Sequence, residues 1–215
     1  MTEFNEGIDW TDLLEEYFSS SGEKAHCLAW CHKQSESLYS KRRNWIDLPV
    51  IMGSAVVGFL NAGSSSMFND PKVSSVALGV GSLVIGILQT VNTYFNWSKR
   101  AEGHRIASIQ YSKLYRFLKI EMSLPRSQRM SPTDLLKKVK GDYDRLQEIS
   151  PLIDDVVIED FKKKFNDEKY KEISKPEETN GLEKIIVYED KLSKSKSNDV
   201  LNSPFILQHN PMNKE

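Results

Sequence analysis

Leu48-Pro-Val-Ile-Met-Gly-Ser-Ala-Val-Val-Gly-Phe-Leu-Asn-Ala-Gly63 and Val73-Ser-Ser-Val-Ala-Leu-Gly-Val-Gly-Ser-Leu-Val-Ile-Gly-Ile-Leu-Gln-Thr-Val-Asn-Thr-Tyr-Phe95 decide the fold of this chain. No charged side chain occurs from Leu48 to Asn69, nor from Val73 to Ser98. A helix needs about 20 mainly apolar residues to cross a hydrocarbon core about 30 Å thick. The second stretch meets that length comfortably and the first only just, which places the expected spans at 46–66 and 73–95. A soluble chain would have to wrap both helices in a bundle, and the remaining sequence offers too little apolar surface to do so.

The residues flanking these stretches set an orientation. Lys41, Arg42 and Arg43 precede the first, and Lys99, Arg100 and Arg105 follow the second, while the connection between them carries only Asp70 and Lys72. Lys and Arg near the ends of spans stay on the cytoplasmic side. Both termini are therefore expected in the cytoplasm, with the short connection outside. Trp45 before the first span, and Tyr94, Phe95 and Trp97 after the second, stand where an aromatic belt belongs.

Small residues recur every four positions in both stretches: Ser54, Gly58 and Ala62 in one, Ser82, Gly86 and Thr90 in the other. Such ridges let helix backbones approach where no hydrophobic effect acts between helices. They serve either packing within the hairpin or an interface between copies. Gln89, Asn92 and Thr93 are polar positions toward the end of the second span, suited to lining a watery path or to hydration at the interface.

Averaged over the whole chain the composition is ordinary, with 27% charged residues and a formal net charge of -1, so no nucleic-acid partner is expected. The two cysteines, Cys27 and Cys31, fit free thiols in a reducing compartment better than a disulfide scaffold. Met1 to Trp10 is acidic, lacks an apolar core, and does not read as a cleaved signal peptide.

Helices are expected on both sides of the membrane segments. A short helix and linker occupies 1–22, where Ser19 to Gly22 reads as a break, and a helix over 23–45 leads into the first span. Pro49 belongs to a first turn or a kink. After the second span the helix should run on without interruption through 96–123 to Pro125. It carries a heptad-like stripe of Trp97, Ala101, His104, Ser108, Tyr111, Tyr115 and Leu118. Ser131 then caps a helix with Pro132 at its first position and Asp134 three residues after the cap. That segment spans 131–165, presents Leu135, Val139, Tyr143, Leu146 and Ile149, and is interrupted at Pro151. Beyond it, 166–215 is a polar tail expected to be flexible unless a protein partner holds it at Ile185–Tyr188 and Phe205–Leu207.

His26, Cys27, Cys31 and His32 are the one cluster of metal-ligand types. Cys27 and Cys31 share a helix face, but the two histidines do not converge on it, so a closed zinc site would need ligands from elsewhere. Redox sensing is the other special reading, and plain helix surface the simplest. His104 suits a pH-sensing role or a packed, hydrogen-bonded one. There is no nucleophile elbow, phosphate-binding glycine loop or HExxH pair, so neither enzymatic activity nor a cofactor or metal is expected.

With its helix entering the membrane through Leu48-Pro49-Val50-Ile51, two closely spaced spans, and Ala101-Glu-Gly-His104-Arg105-Ile-Ala-Ser-Ile-Gln-Tyr111-Ser-Lys-Leu114-Tyr-Arg116 after them, the chain resembles the SLATT family. These are the SMODS- and SLOG-associating two-transmembrane effector domains. His104, Tyr111 and Leu114 occupy the places of the family's His, Tyr and Leu, and Tyr143, Leu146 and Pro151 resemble its later Tyr/Leu…Pro pattern. The resemblance runs from about Trp30 to Phe165. It implies an oligomeric membrane effector that opens pores in prokaryotic conflict systems, with related domains in fungi and large DNA viruses. The chain departs from a signalling effector in carrying only the polar tail after its helices.

The expected fold is thus all-α integral membrane, a two-helix transmembrane hairpin with a cytoplasmic helical bundle and a flexible C-terminal tail. Two functions follow. In one, the chain forms homo-oligomers in the lipid bilayer with a pore lined by residues such as Ser82, Gly86, Gln89 and Thr93. In the other, the hairpin anchors a membrane to a protein layer, as a virion membrane or minor capsid component would.

Overall fold

The computed structural model describes residues 8–63 and 70–185. Among these the chain is entirely α-helical and 3₁₀-helical, with no strand. The helices are α1 (Asp12–Ala62), α2 (Pro71–Phe95), α3 (Trp97–Ser123), α4 (Pro132–Ile149), α5 (Asp155–Lys164) and the single turn α6 (Glu177–Asn180). The chain divides into two units, Met1–Leu182 and Glu183–Glu215. The first holds every helix named here.

α1 organises the first unit. It runs 51 residues, about 77 Å at 1.5 Å per residue, with Thr11 as its N-cap accepting from the Leu14 N–H. It passes straight through Ser19–Gly22, where a break was expected. Ser21 and Gly22 are buried there, and a Cβ on Gly22 would stand 3.4 Å from the Leu118 Cβ. The small residues are a close-approach site for α3, so tertiary packing overrides their turn preference. Pro49 also lies inside α1 rather than in a first turn. It removes one backbone donor, and the helix continues on either side.

α2 and α3 return along α1 in one antiparallel register. Gly22 meets Leu118, the Ser108 hydroxyl donates to the Ala29 carbonyl, His32 meets His104, Asp47 meets Asn92, Gly53 meets Ile85, and Val57 meets Gly81. The numbers rise on one side about as fast as they fall on the other, from one end of α1 to the other. The expected uninterrupted helix from α2 into α3 is broken at one residue, Asn96, with φ 49° and ψ 44°. Asn tolerates this left-handed conformation, and the register resumes beyond it.

The core sits in the N-terminal half of α1. Phe18, Ser21, Ala25, Leu28, His32, Ser35 and Tyr39 recur at spacings of three and four, and all are buried. They face Ala101, His104, Ala107, Tyr111, Leu114 and Leu118 of α3. The stripe expected on α3 is therefore right at Ala101, His104, Tyr111 and Leu118. Ala107 and Leu114 replace Ser108 and Tyr115 as its fully buried members. α4 begins at the expected cap, Ser131, whose hydroxyl oxygen accepts from the Asp134 N–H at 3.2 Å. Leu135, Val139 and Leu146 are buried, Tyr143 donates to the Ser21 carbonyl at 2.6 Å, and Ile149 stays exposed. α5 contributes Val157 and Phe161 to a second cluster with Cys31 and Trp30.

The polar segment after Phe165 is not a free tail where it is described. The Ser174 N–H donates to Glu23 at 2.8 Å, Lys175 donates to the Phe165 carbonyl, and Pro176 and Thr179 are buried. Its polarity concealed an attachment made by hydrogen bonds rather than apolar bulk. Of the two apolar islands, Ile186–Tyr188 and Phe205–Leu207 lie outside the described residues.

Candidate functional site

The C-terminal part of α1 and the whole of α2 are long and apolar enough to cross a membrane, and almost none of the residues in their most apolar stretches is buried by the rest of the chain. The most apolar 18-residue window is 0% buried in α1 and 6% buried across α2–α3. Leu48, Ile51, Met52, Val56 and Phe59 are all more than half exposed, as are Val73, Val76, Val80, Leu83 and Ile87. At about 25 cal/mol per Å², such a surface would be costly to hold in water.

The two helices meet along Gly53 and Val57 on one side and Gly81 and Ile85 on the other. A Cβ on Gly81 would lie 3.1 Å from Val57 Cγ2, and one on Gly53 3.4 Å from Ile85. At their C-terminal (α2) and mid-helix (α1) ends, Asn92 donates to Asp47 at 2.6 Å, and Arg43 pairs with Asp47 at 3.6 Å. Trp45 and Tyr94 project outward at this level, each 82% exposed, and Phe95 stacks on Trp97.

The expected small ridges do not serve this contact. Ser54, Gly58, Ala62, Ser82, Gly86, Gln89, Thr90 and Thr93 are all exposed, and a Cβ on Gly58 or Gly86 would meet nothing within 4 Å. Their position follows from helix geometry. One residue is about 100° of rotation, so a one-residue step from the contact row moves a quarter-turn around each helix. In two antiparallel right-handed helices the same forward step turns toward the same side of the pair. Ser54 and Gly58 on α1 therefore share a side with Ser75, Gly79, Ser82, Gly86, Gln89 and Thr93 on α2. One step backward leads to the other side: Met52, Val56 and Phe59 with Val73, Ala77, Val80, Val84 and Ile87, all exposed as well. One side is mostly small and polar, with Ile51 in line with Gly58 as its bulky exception, and the other is apolar and mostly bulky. Thr90 and Thr93 donate to the Gly86 and Gln89 carbonyls of their own helix, so their hydroxyls need no outside partner.

Just beyond the Asp47–Asn92 bridge, along α1 toward its N-terminus, lies a polar cluster inside the core. His32 and His104 are 2% and 1% exposed, and their Nδ1 atoms stand 2.9 Å apart. Tyr111 stacks on His32 and Tyr39 on His104, both nearly parallel. Tyr39 donates to Asp154 at 2.8 Å, Arg42 reaches the same carboxylate at 3.3 Å, and Arg42 and Arg100 both lie over the Tyr39 ring. Burial and the neighbouring His104 bring His32 down to about 4, and burial also lowers His104.

Sequence reasoning placed His104 on a packed stripe but did not pair it with His32. The signal was available: His32 falls on the three-and-four stripe running from Phe18 to Tyr39. Of the other positions that carry the SLATT resemblance, three gather around α3 near the pair. Tyr111 and Leu114 are buried on α3, and Pro151 lies against Gly103, where a Cβ would come within 2.9 Å of the Pro151 ring. Pro49 stands apart, exposed on α1.

The cysteine cluster does not assemble. His26 stacks on Tyr115, His32 is committed to His104, and no three metal-ligand side chains converge among the described residues. Burial pushes the Cys27 thiol up to about 11 and Cys31 to about 12, which leaves both poorly nucleophilic. Of the flanking cations, Arg42 pairs with Asp154, Arg43 with Asp47 and Arg105 with Glu102, while Lys41, Lys99 and Arg100 are exposed. Comparison with protein-family models, with curated proteins and with solved structures finds no match to this chain.

Proposed function

We propose that the chain is a two-span membrane protein whose copies associate through the small, polar side of the α1–α2 hairpin and form a pore-like assembly. The observation that carries this reading is the two-sidedness of the hairpin. A lone anchor surrounded by lipid has no reason to separate its residues: bulky aliphatics would suit both sides. Here Ser75, Ser82, Gln89 and Thr93 share a side with Gly58, Gly79 and Gly86, where backbones can approach closely and polar groups can face each other or water. Met52, Val56, Phe59, Val80, Val84 and Ile87 suit lipid. The exposed Trp45 and Tyr94 mark one membrane interface, with the Lys41–Arg43 and Lys99–Arg105 cations on the same side as the helical bundle. This favours a cytoplasmic bundle. The resemblance to the SLATT family points to the same pore-forming role.

Current across a planar bilayer holding the purified full-length protein tests the reading. The expected result is discrete conductance steps that Gly86→Leu abolishes while Val84→Leu, on the lipid side, leaves them intact. A silent bilayer with incorporation confirmed, from protein that is monomeric in lipid, would favour the membrane-anchor role instead.

A further inference from the structure

Two imidazoles that meet in a helix interface at a tilt of 38°, with their Nδ1 atoms 2.9 Å apart, can hold only one proton between them. In the neutral pair one ring donates its Nδ1–H and the other accepts through its lone pair, carrying its own proton on Nε2. A first added proton preserves an N–H···N bond. A second places two N–H groups, and two positive charges, against each other.

We propose that the His32–His104 pair is a proton-binding site that couples acid pH to separation of α1 from α3 beside the membrane-facing helices. The groups around the pair decide how it responds. From α1 come Tyr39 and Arg42, from α3 Arg100 and Tyr111, and from the segment entering α5 Asp154; Tyr143 of α4 lies behind Tyr111. The Asp154 carboxylate is bonded to this group, accepting from Tyr39 and Arg42. The Arg100 guanidinium disfavours a charge on His104 and Asp154 favours it. Asp154 also declines its usual role: it is the N-cap of α5, yet makes no side-chain cap hydrogen bond. Its carboxylate instead ties the α5 end to Tyr39, so a disturbance at the histidines reaches three helices.

The direction follows from proton linkage. Burial lowers both rings below the ordinary histidine value of 6.5, His32 to about 4. The packed state therefore binds fewer protons than any state with the rings in water. Packing is fully favoured above about pH 6.5 and weakens as pH falls toward 4. For His32 alone, a drop from pH 7.5 to 5.0 shifts the equilibrium toward separation about 30-fold. The inference does not depend on the pore reading, because it concerns packing within one chain.

Hydrogen–deuterium exchange of the full-length protein in lipid nanodiscs, at pH 7.5 and 5.0 and corrected for intrinsic exchange, tests it. Amides of residues 28–39 and 101–111 should lose protection about 30-fold at the lower pH, while those of 50–60 keep theirs. His32→Gln/His104→Gln should show no such loss. Equal protection of the wild type at both pH values, or an undiminished loss in the double variant, would overturn the proposal. Should the double variant not fold, the histidine NMR titration of the wild type decides. Two rings titrating below 6.5, His32 last, support the site, and either ring titrating at or above 6.5 rejects it.

Discussion

The two halves of α1 are one continuous helix in two different surroundings. From Phe18 to Tyr39 its inward residues vanish beneath α3, α4 and α5, and its outward residues are polar or charged. From Leu48 to Ala62 it touches α2 along one row, and bulky aliphatic side chains stand uncovered beside that row. The register with α2–α3 does not change between the halves, so the difference lies in the side chains and not in the backbone path. The first half is built like the interior of a soluble protein. The second leaves its apolar surface for something outside the chain.

That contrast can be broken most strongly in the packed half. Leu118→Ala and Leu135→Ala each remove a fully buried side chain, and should cost about 2–5 kcal/mol in denaturant unfolding of the full-length protein. Val84→Ala, on the uncovered half, should change the same measurement by less than about 0.5 kcal/mol. In the hairpin, Gly81→Leu forces a side chain into Val57 and should destabilise the helix pair by about 1–3 kcal/mol. Gly58→Leu meets nothing within its own chain, so it should leave that chain's stability unchanged and weaken only the association of copies, read by mass in detergent. Tyr143→Phe loses one hydrogen bond to the Ser21 carbonyl, with an expected cost of about 1 kcal/mol.

Acid should reveal a smaller and separate effect at the far end of α1. Arg126 and Arg129 beside Glu15 hold its carboxyl down at about 2, against an ordinary 4.5. A depressed carboxyl favours the fold above its ordinary value and loses that contribution as pH falls from 4.5 toward 2. The histidine pair loses its contribution at higher pH, between 6.5 and 4. Thermal unfolding across pH should show two windows, and Glu15→Gln should remove only the lower one.

Periodicity made most of the helices legible: the uncharged stretches, the Ser131 cap, the terminator at Pro125 and most of the α3 stripe. What escaped was whatever depended on a partner element. Ser19–Gly22 reads locally as a break because only α3 makes its small size useful. Asn96 gives no sequence cue stronger than any other Asn, yet it takes the one left-handed position outside glycine among the described residues. The segment after Phe165 is polar, and backbone hydrogen bonds that cannot be seen in composition hold part of it. At the site, the small ridges were legible but not their side of the hairpin, which needs the contact row Gly53–Val57 and Gly81–Ile85 as a reference. The His32–His104 pair needed the register.

The proposed function gives the α1–α2 pair a lipid side and an association side. Oxygen accessibility of spin labels placed singly from Val80 to Thr93, in the full-length protein reconstituted into liposomes, tests it most directly. High oxygen collision rates are expected at Val80, Val84 and Ile87, and low rates at Ser82, Gly86 and Gln89. Equal oxygen accessibility on both sides of α2 would mean the hairpin stands alone in lipid, and would contradict it.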